Sequence, residues 1–549
     1  MVFPTMNTPL APKVLLIHPP MVRPTEPPIG VSAVAGLLQT HGIPVTTWDA
    51  NLAGVLAFID RPPAESSPRS RQTYEGREAL LRTLRSRKAF HSFGAHFNAV
   101  NRLKHSLSLA SADFPGWEIT PTNVEHCDHH PFQAASWNWA FENPEKNPFV
   151  AVLQADLEKA LLAFQPTHVG FSLNYLSQVL TAFAFAGLLK QRFPHLVLMA
   201  GGSLISAWLA HYPESRGQFP GFDLVLPGSA EETLLPLLLP PGPSSPSPSR
   251  SPSSPGTPHT PRQHRFEYLP AFDPGTLPDY LSPGPVLPLS FSRGCYWTKC
   301  QFCTEQLEQG NFLMISPAAS VAILKQLETT FSPTLFHFGD NAISPALCQA
   351  LINAPLHTPW YGFIRFIDHF QDPDFCRALR KAGCIMLQLG LESGHPGVLE
   401  AMQKGITPPQ AERALRNLHE AGIGTYVYLL FGTPFEQLPE AETTLQFVAR
   451  NHASIDFVNL AIFSLPIQSP ESRDIMAAQA QSGCFPLYFD YQHPRGWSKT
   501  EVRRFLDREF KAHPAIKPII QRKPLCFTSN HGPFFCLFNR RAFGPPPGG

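Results

Sequence analysis

Residues 286–303 read VLPLSFSRGCYWTKCQFC: an apolar run from Val286 to Phe291, broken at Ser292-Arg293-Gly294, then a loop carrying Cys295, Cys300 and Cys303. A short apolar run bounded by a glycine-containing turn reads as a buried strand. Five more such runs follow: Thr334 to Phe338, Trp360 to Ile364, Cys384 to Leu391, Thr425 to Phe431 and Asp456 to Phe463, each followed by a helical or loop segment. Two of the helices carry start signals, Ser316-Pro317 and Thr407-Pro408 with Gln410 in the capping-box position; the second ends at Gly422. Six βα units with right-handed crossovers predict an open, partial (β/α)6 version of the eight-fold barrel, whose chemistry belongs at the C-terminal ends of the strands. The cysteine loop begins at such an end.

Ten cysteines in 549 residues are too sparse for a disulfide framework, and three of them crowd into residues 295–303 as C-x4-C-x2-C. Three thiolates on one loop suit three corners of an iron–sulfur cluster or three positions of a zinc ion; three unrelated buried thiols are the remaining reading. Zinc sites usually bring four ligands as two close pairs, and no second pair lies nearby in the sequence. A [4Fe–4S] cluster held by three ligands keeps one iron open to an external molecule.

On these residues the segment resembles the radical S-adenosylmethionine (SAM) superfamily, whose usual triplet is C-x3-C-x2-C with an aromatic before the last cysteine. Phe302 supplies the aromatic, and the first spacing is one residue longer, as in a subgroup that RGCYW-x2-C-x-FC resembles. The resemblance runs over roughly residues 285–465. It implies that Cys295, Cys300 and Cys303 ligate a [4Fe–4S] cluster whose open iron holds SAM. It further implies that Gly339 and Asp340 at the second strand end meet the methionine ammonium, that Arg365 at the third pairs with its carboxylate, and that Glu392, in Leu389-Gly390-Leu391-Glu392-Ser393 at the fourth, contacts SAM polar groups. Val427 to Pro434 resembles the edge on which adenine packs. Taken singly, a Gly-Asp-Asn is ordinarily a turn and an arginine at a rim ordinarily a salt bridge; their value is joint, at successive strand ends.

The N-terminal half alternates in the same way: strands at Lys13 to His18, Val45 to Trp48, His168 to Leu173, Leu196 to Met199 and Asp223 to Leu226, with helical spacing at Gly30 to Gln39, Val150 to Phe164 and Val179 to Arg192. This predicts an α/β, Rossmann-like, doubly wound parallel sheet covered on both faces. The half resembles the cobalamin (B12)-binding domains attached to many radical SAM enzymes, which implies that Ser172, Gly201, Gly202 and Ser203 line the corrin nucleotide tail. Small residues suit a ligand that must slide close to backbone at strand ends. The Asp-x-His-x-x-Gly motif of histidine-ligating cobalamin domains is absent, and His18 reads as a strand-end hydrogen bonder. Either cobalamin binds without a protein imidazole or the domain keeps the fold without the cofactor.

The resulting layout is a B12-binding-like domain at 10–239 with an insertion at about 55–147, a Pro/Ser linker at 240–262, a radical SAM core at 280–470 and a C-terminal extension at 471–549. In the linker, sixteen of the twenty-two residues from Pro240 to Pro261 are Pro or Ser, which cannot bury enough surface to fold. In the extension, Val502, Phe505, Leu506 and Phe510 share one helical face, and the segment Thr528 to Phe535 is expected over the barrel mouth.

A net charge of +1 gives no global field toward nucleic acid or an anionic membrane. No secretory signal or membrane-length apolar run is present, so a cytoplasmic enzyme is expected. The expected function is reductive cleavage of SAM to start radical chemistry, favouring cobalamin-dependent methylation of an unactivated carbon. The rivals are a radical rearrangement or cyclisation without methyl transfer and a non-catalytic zinc- or cluster-stabilised binding module. The resemblance implies a small-molecule or peptide substrate and an electron donor such as flavodoxin or ferredoxin.

Overall fold

The computed structural model describes residues 11–63, 67–239, 268–304, 312–467, 472 and 482–539. The expected linker at 240–262 lies outside these.

The N-terminal strands are β1 (Val14–His18) and β2 (Val45–Asp49), a separate hairpin β3 (Trp117–Thr120) and β4 (Asn123–His126), then β5 (His168–Ser172), β6 (Val197–Gly201) and β7 (Leu224–Leu226). The sheet order is β2-β1-β5-β6-β7, all parallel, so the order reverses at β1/β5 and leaves a crevice at the C-terminal strand ends. Leu15, Ile17, Val169, Phe171 and Leu198 are buried against the long core of this half. Between β2 and β5 run several helices and the hairpin; the last helix, Pro148–Phe164, is capped by Asn147, whose side chain accepts from the amides of Phe149 and Val150.

The barrel comprises β8 (Val286–Leu289), a small pair β9 (Ser292–Arg293) and β10 (Leu313–Met314), then β11 (Leu335–Phe338), β12 (Trp360–Ile364), β13 (Cys384–Glu392), β14 (Gly424–Phe431) and β15 (Phe457–Ile462). Its six long strands lie in sequence order, β8-β11-β12-β13-β14-β15, all parallel. The expected helix starts are present: Ser316 accepts from the Ala319 amide, and Gln410 accepts from the Thr407 amide at 2.9 Å.

The barrel's alternation sorts its interior by depth. At the N-terminal ends Val286, Leu335, Tyr361, Met386, Tyr426 and Phe457 are buried against the C-terminal helix Thr528–Phe538 and against Ala89 and Phe90. The tail segment expected over the mouth is therefore a plug in the floor. The reason is its composition: Phe534, Phe535 and Cys536 are apolar enough to fill a barrel bottom, and Gly532 lets the helix approach Met386. Ala89 and Phe90 come from the stretch between β2 and β5, which thus serves the barrel as well as its own half. Higher up, inward-facing His337, Phe363, Tyr428 and Asn459 are half-exposed, whereas outward-facing Phe338, Ile364, Val427 and Val458 are buried. The barrel is hollow above its floor. Among the described residues, no helix is long and apolar enough to cross a membrane.

Candidate active site

The cysteine loop is held by contacts distant in sequence. Where β8 ends, the Gly339 amide donates to Leu289 O at 2.6 Å. Asp340 is 2% exposed and accepts from the Phe291 amide at 3.1 Å and from the Ser292 hydroxyl. Burial pushes the Asp340 carboxyl up, against those hydrogen bonds. Asp340, expected on the methionine ammonium, is thus turned toward the backbone that launches the loop. A carboxylate buried at a strand end needs donors, and the nearest ones are here.

On the loop's far side the turn Met402–Gly405 acts as a platform. The Gln301 amide donates to Met402 O at 3.1 Å, Trp297 Nε1 donates to Gln403 O at 2.9 Å, and Arg365 donates to Lys404 O. A Cβ on Gly405 would stand 2.2 Å from the Trp297 ring, so only glycine lets the indole lie there. Thr298 has φ 50°, a left-handed conformation that absorbs part of the longer first spacing. Arg365 also donates to Cys300 Sγ at 3.4 Å and stacks over Trp297 at 4.4 Å. The arginine expected on the methionine carboxylate is committed to the cysteine loop itself.

Cys300 is buried, and Cys295 and Cys303 are half-exposed. Among the described residues, the set of side chains gathered within 4.8 Å, as a single ion requires, is His126, Cys127 and Asp128; the three loop cysteines are not so gathered. Thiolates on one zinc ion, with bonds of about 2.3 Å, would be drawn together. Cysteines that bind separate irons of one cluster need not be gathered this closely.

Glu392 ends β13 beyond a register shift, with φ 69°, and its carboxylate accepts from Lys404 Nζ at 2.9 Å. Lys404 also lies 5.4 Å from the Phe302 ring centre. Phe302, Arg365, Glu392 and Lys404 therefore converge beside the cysteines. The neighbouring Ser393 is fully buried on Thr444 and serves the turn.

Across from the loop, a cavity of about 1880 Å³ separates the two sheets. Ser172, Gly201, Gly202 and Ser203 line it from the N-terminal half, and Gly339 and Asn341 from the barrel. Gly202 has φ 119°, and a Cβ there would stand 2.2 Å from Leu173 O. Ser203 donates its amide and hydroxyl to Asn174 Oδ1 at 3.0 and 3.2 Å. An Arg293 to Glu231 pair at 2.8 and 3.0 Å ties the barrel to the sheet at the rim, with Tyr268 donating to the same carboxylate. Burial opposes ionisation of Glu231, yet Arg293 holds its carboxyl below the ordinary value. His18 is buried; Gln178 Nε2 lies 3.4 Å from its Nδ1, and burial lowers its pKa, with Asp49 opposing. It is a strand-end partner, as its place in the sequence suggested.

Two features had no signal in the sequence: the Met402–Gly405 platform and the loop after β1. The latter sends Glu26 into the barrel, 2.8 Å from His337 Nδ1.

Residues 289–448 match the family model described as "Radical SAM superfamily". An uncharacterised methyltransferase of Pyrococcus horikoshii is 25% identical over 202 residues, 35% of this chain and 43% of that protein. Bacteriochlorophyllide d C-12(1)-methyltransferase of Chlorobaculum tepidum is 26% identical over 188 residues, 33% of this chain and 40% of that protein. The chain thus spans about two fifths of these relatives. The solved structure of the cobalamin-dependent S-adenosylmethionine radical enzyme OxsB with aqua-cobalamin bound has the same fold (TM-score 0.50, 13% identity, 91% of this chain, 67% of that one). Residues 289–448 thus carry the radical SAM match, within a chain whose six-stranded parallel barrel is joined to an N-terminal five-stranded parallel sheet in the fold of that solved structure.

Proposed function

We propose that this enzyme is a cobalamin-dependent radical SAM methyltransferase acting on an unactivated carbon of a small-molecule or peptide substrate. The observation that carries the reading is one large cavity lined on one side by the glycine- and serine-rich strand ends of the N-terminal sheet and on the other by Ser292, Arg293 and Gly294, the residues that lead directly into the three-cysteine loop. The methyltransferase names of both relatives and the cobalamin in the neighbouring structure support it.

Cys295, Cys300 and Cys303 would hold a [4Fe–4S] cluster, and Gly201, Gly202, Ser203 and Ser172 would flank the cobalamin tail. When bound, these groups would supply one electron to the sulfonium of SAM, releasing methionine and a 5′-deoxyadenosyl radical that takes a hydrogen atom from the substrate carbon, and a methyl group to replace it. The chain's own residues do the positioning. Arg365 and Trp297 fix the loop, Asp340 fixes its root, and Glu392 with Lys404 places a paired charge beside it. The closed floor of Phe534, Phe535 and Phe90 keeps water from entering the barrel from below, which protects a radical from quenching. Electrons would come from a carrier such as flavodoxin or ferredoxin.

Anaerobic reconstitution with iron, sulfide and hydroxocobalamin tests the proposal. The expected products with reductant are 5′-deoxyadenosine and S-adenosylhomocysteine. Deoxyadenosine alone, with no corrinoid retained, would favour a rearrangement or cyclisation.

A further inference from the structure

The hollow of the barrel is bounded by polar groups from three distant parts of the chain. Four strands contribute His337, Gln388, Tyr428 and Asn459. Gln388 Nε2 donates to the Tyr428 hydroxyl at 3.1 Å, and Asn459 stands opposite Tyr428 in the β14/β15 register. The gap between β15 and β8 is entered by the loop after β1, with Arg23 and Glu26, and by the tail, with Lys523 and Asn530.

The charges here are unevenly matched. Glu26 is taken up by His337 at 2.8 Å and by Asn530 Nδ2 at 2.9 Å. Arg23 donates to Asn530 Oδ1 at 2.9 Å and Lys523 to Asn459 Oδ1 at 3.3 Å, both neutral acceptors. Among the described residues, neither cation has a carboxylate within ion-pair distance. Burial, with Lys511 and Arg23, lowers the Lys523 pKa. Beneath them, Tyr361 Oη in the floor and Gln388 Oε1 are buried without a hydrogen-bond partner among the described residues. Lys523 is half-buried and Arg23 exposed, so both cations are open to an anion that enters the barrel.

We propose that the barrel interior binds a substrate bearing an oxyanion, a carboxylate or a phosphate, between Arg23 and Lys523. This names the substrate class for the reaction proposed above and rests on that reading. It also gives the loop after β1 a role: it brings Arg23 from the N-terminal half to the substrate.

Lysine labelling tests the proposal without turnover. The reconstituted full chain is treated with acetic anhydride, and modification of Lys523 is followed by peptide mass spectrometry. The probes are inorganic phosphate and succinate, added separately at ionic strength fixed with chloride. At least one should slow Lys523 acetylation about tenfold at saturation, while exposed Lys325 is unchanged. The anion that protects at lower concentration distinguishes phosphate from carboxylate. In Arg23→Gln the half-protecting concentration should rise about tenfold, and Arg23→Lys should restore part of it. Lys523 labelling that neither anion alters, or equal protection in Arg23→Gln with iron content intact, would overturn the proposal. Either result would leave SAM cleavage untouched, so the two readings fail separately.

Discussion

Arg365 donates to the sulfur of Cys300 at 3.4 Å while its guanidinium lies over Trp297, 4.4 Å from the ring centre. One side chain therefore joins the third barrel strand end to the cysteine loop in two ways. Its N–H reaches the Cys300 sulfur, and the same guanidinium lies over the aromatic three residues earlier. Hydrogen bonds and positive charge at cluster sulfurs stabilise the reduced, more negative state.

Arg365→Gln should accordingly lower the cluster's reduction potential by tens of millivolts, on the order expected for losing one charge-assisted hydrogen bond. A redox titration followed by electron paramagnetic resonance measures it. An unchanged potential with the cluster retained would mean that the contact has no electronic consequence.

The platform under the loop gives a second expectation. Gly405→Ala places a Cβ 2.2 Å from the Trp297 ring at a position with φ 71°. The backbone strain alone costs about 1–2 kcal/mol. Iron per chain after reconstitution should fall, while the N-terminal half, which the turn does not touch, should still retain corrinoid.

The complementary substitution is Gly202→Ala. A Cβ there would meet Leu173 O at 2.2 Å, in a backbone conformation with φ 119° that alanine rarely adopts. Hydroxocobalamin co-eluting with the protein should drop several-fold, roughly the effect of 1–2 kcal/mol, while deoxyadenosine formation persists. Loss of both together would show that the strand end supports the whole fold.

Glu436, fully buried after β14, accepts from the Gly432 amide at 2.7 Å. Burial pushes its carboxyl up to about 8, with the Gly432 amide opposing and Glu440 adding. The folded protein thus holds this proton more tightly than the unfolded chain, whose value is near 4.5. The stability this contributes is complete below about 4.5 and is lost as pH rises toward about 8, at up to about 1.4 kcal/mol per unit. Urea midpoints of Glu436→Gln should fall less steeply with pH across that window than those of the unaltered protein. Parallel curves would show that Glu436 is ionised in the folded state.

The strands of both sheets were legible because each is an apolar run closed by turn residues. β13, expected over Cys384 to Leu391, extends over Cys384–Glu392. The cysteines were legible because their chemistry lies in local spacing. Asp340 and Arg365 were found at the right strand ends but with other partners, since a motif gives a residue's place and the nearest donors or acceptors decide where its side chain turns. Arg23 and Glu26 left no trace in the sequence: they meet residues some 300 to 500 positions away, and no periodicity records such contacts. The tail was expected over the mouth because its phenylalanines must cover something; which end of the barrel is open follows only from packing.

In the proposed function, Cys295, Cys300 and Cys303 together hold the cluster at which SAM is cleaved. The most direct test is the yield of 5′-deoxyadenosine from SAM under anaerobic, reducing conditions, comparing the reconstituted chain with Cys300→Ala. The account predicts deoxyadenosine from the unaltered chain and none above background from the variant, whose N-terminal half still binds corrinoid. Undiminished deoxyadenosine from Cys300→Ala would contradict it.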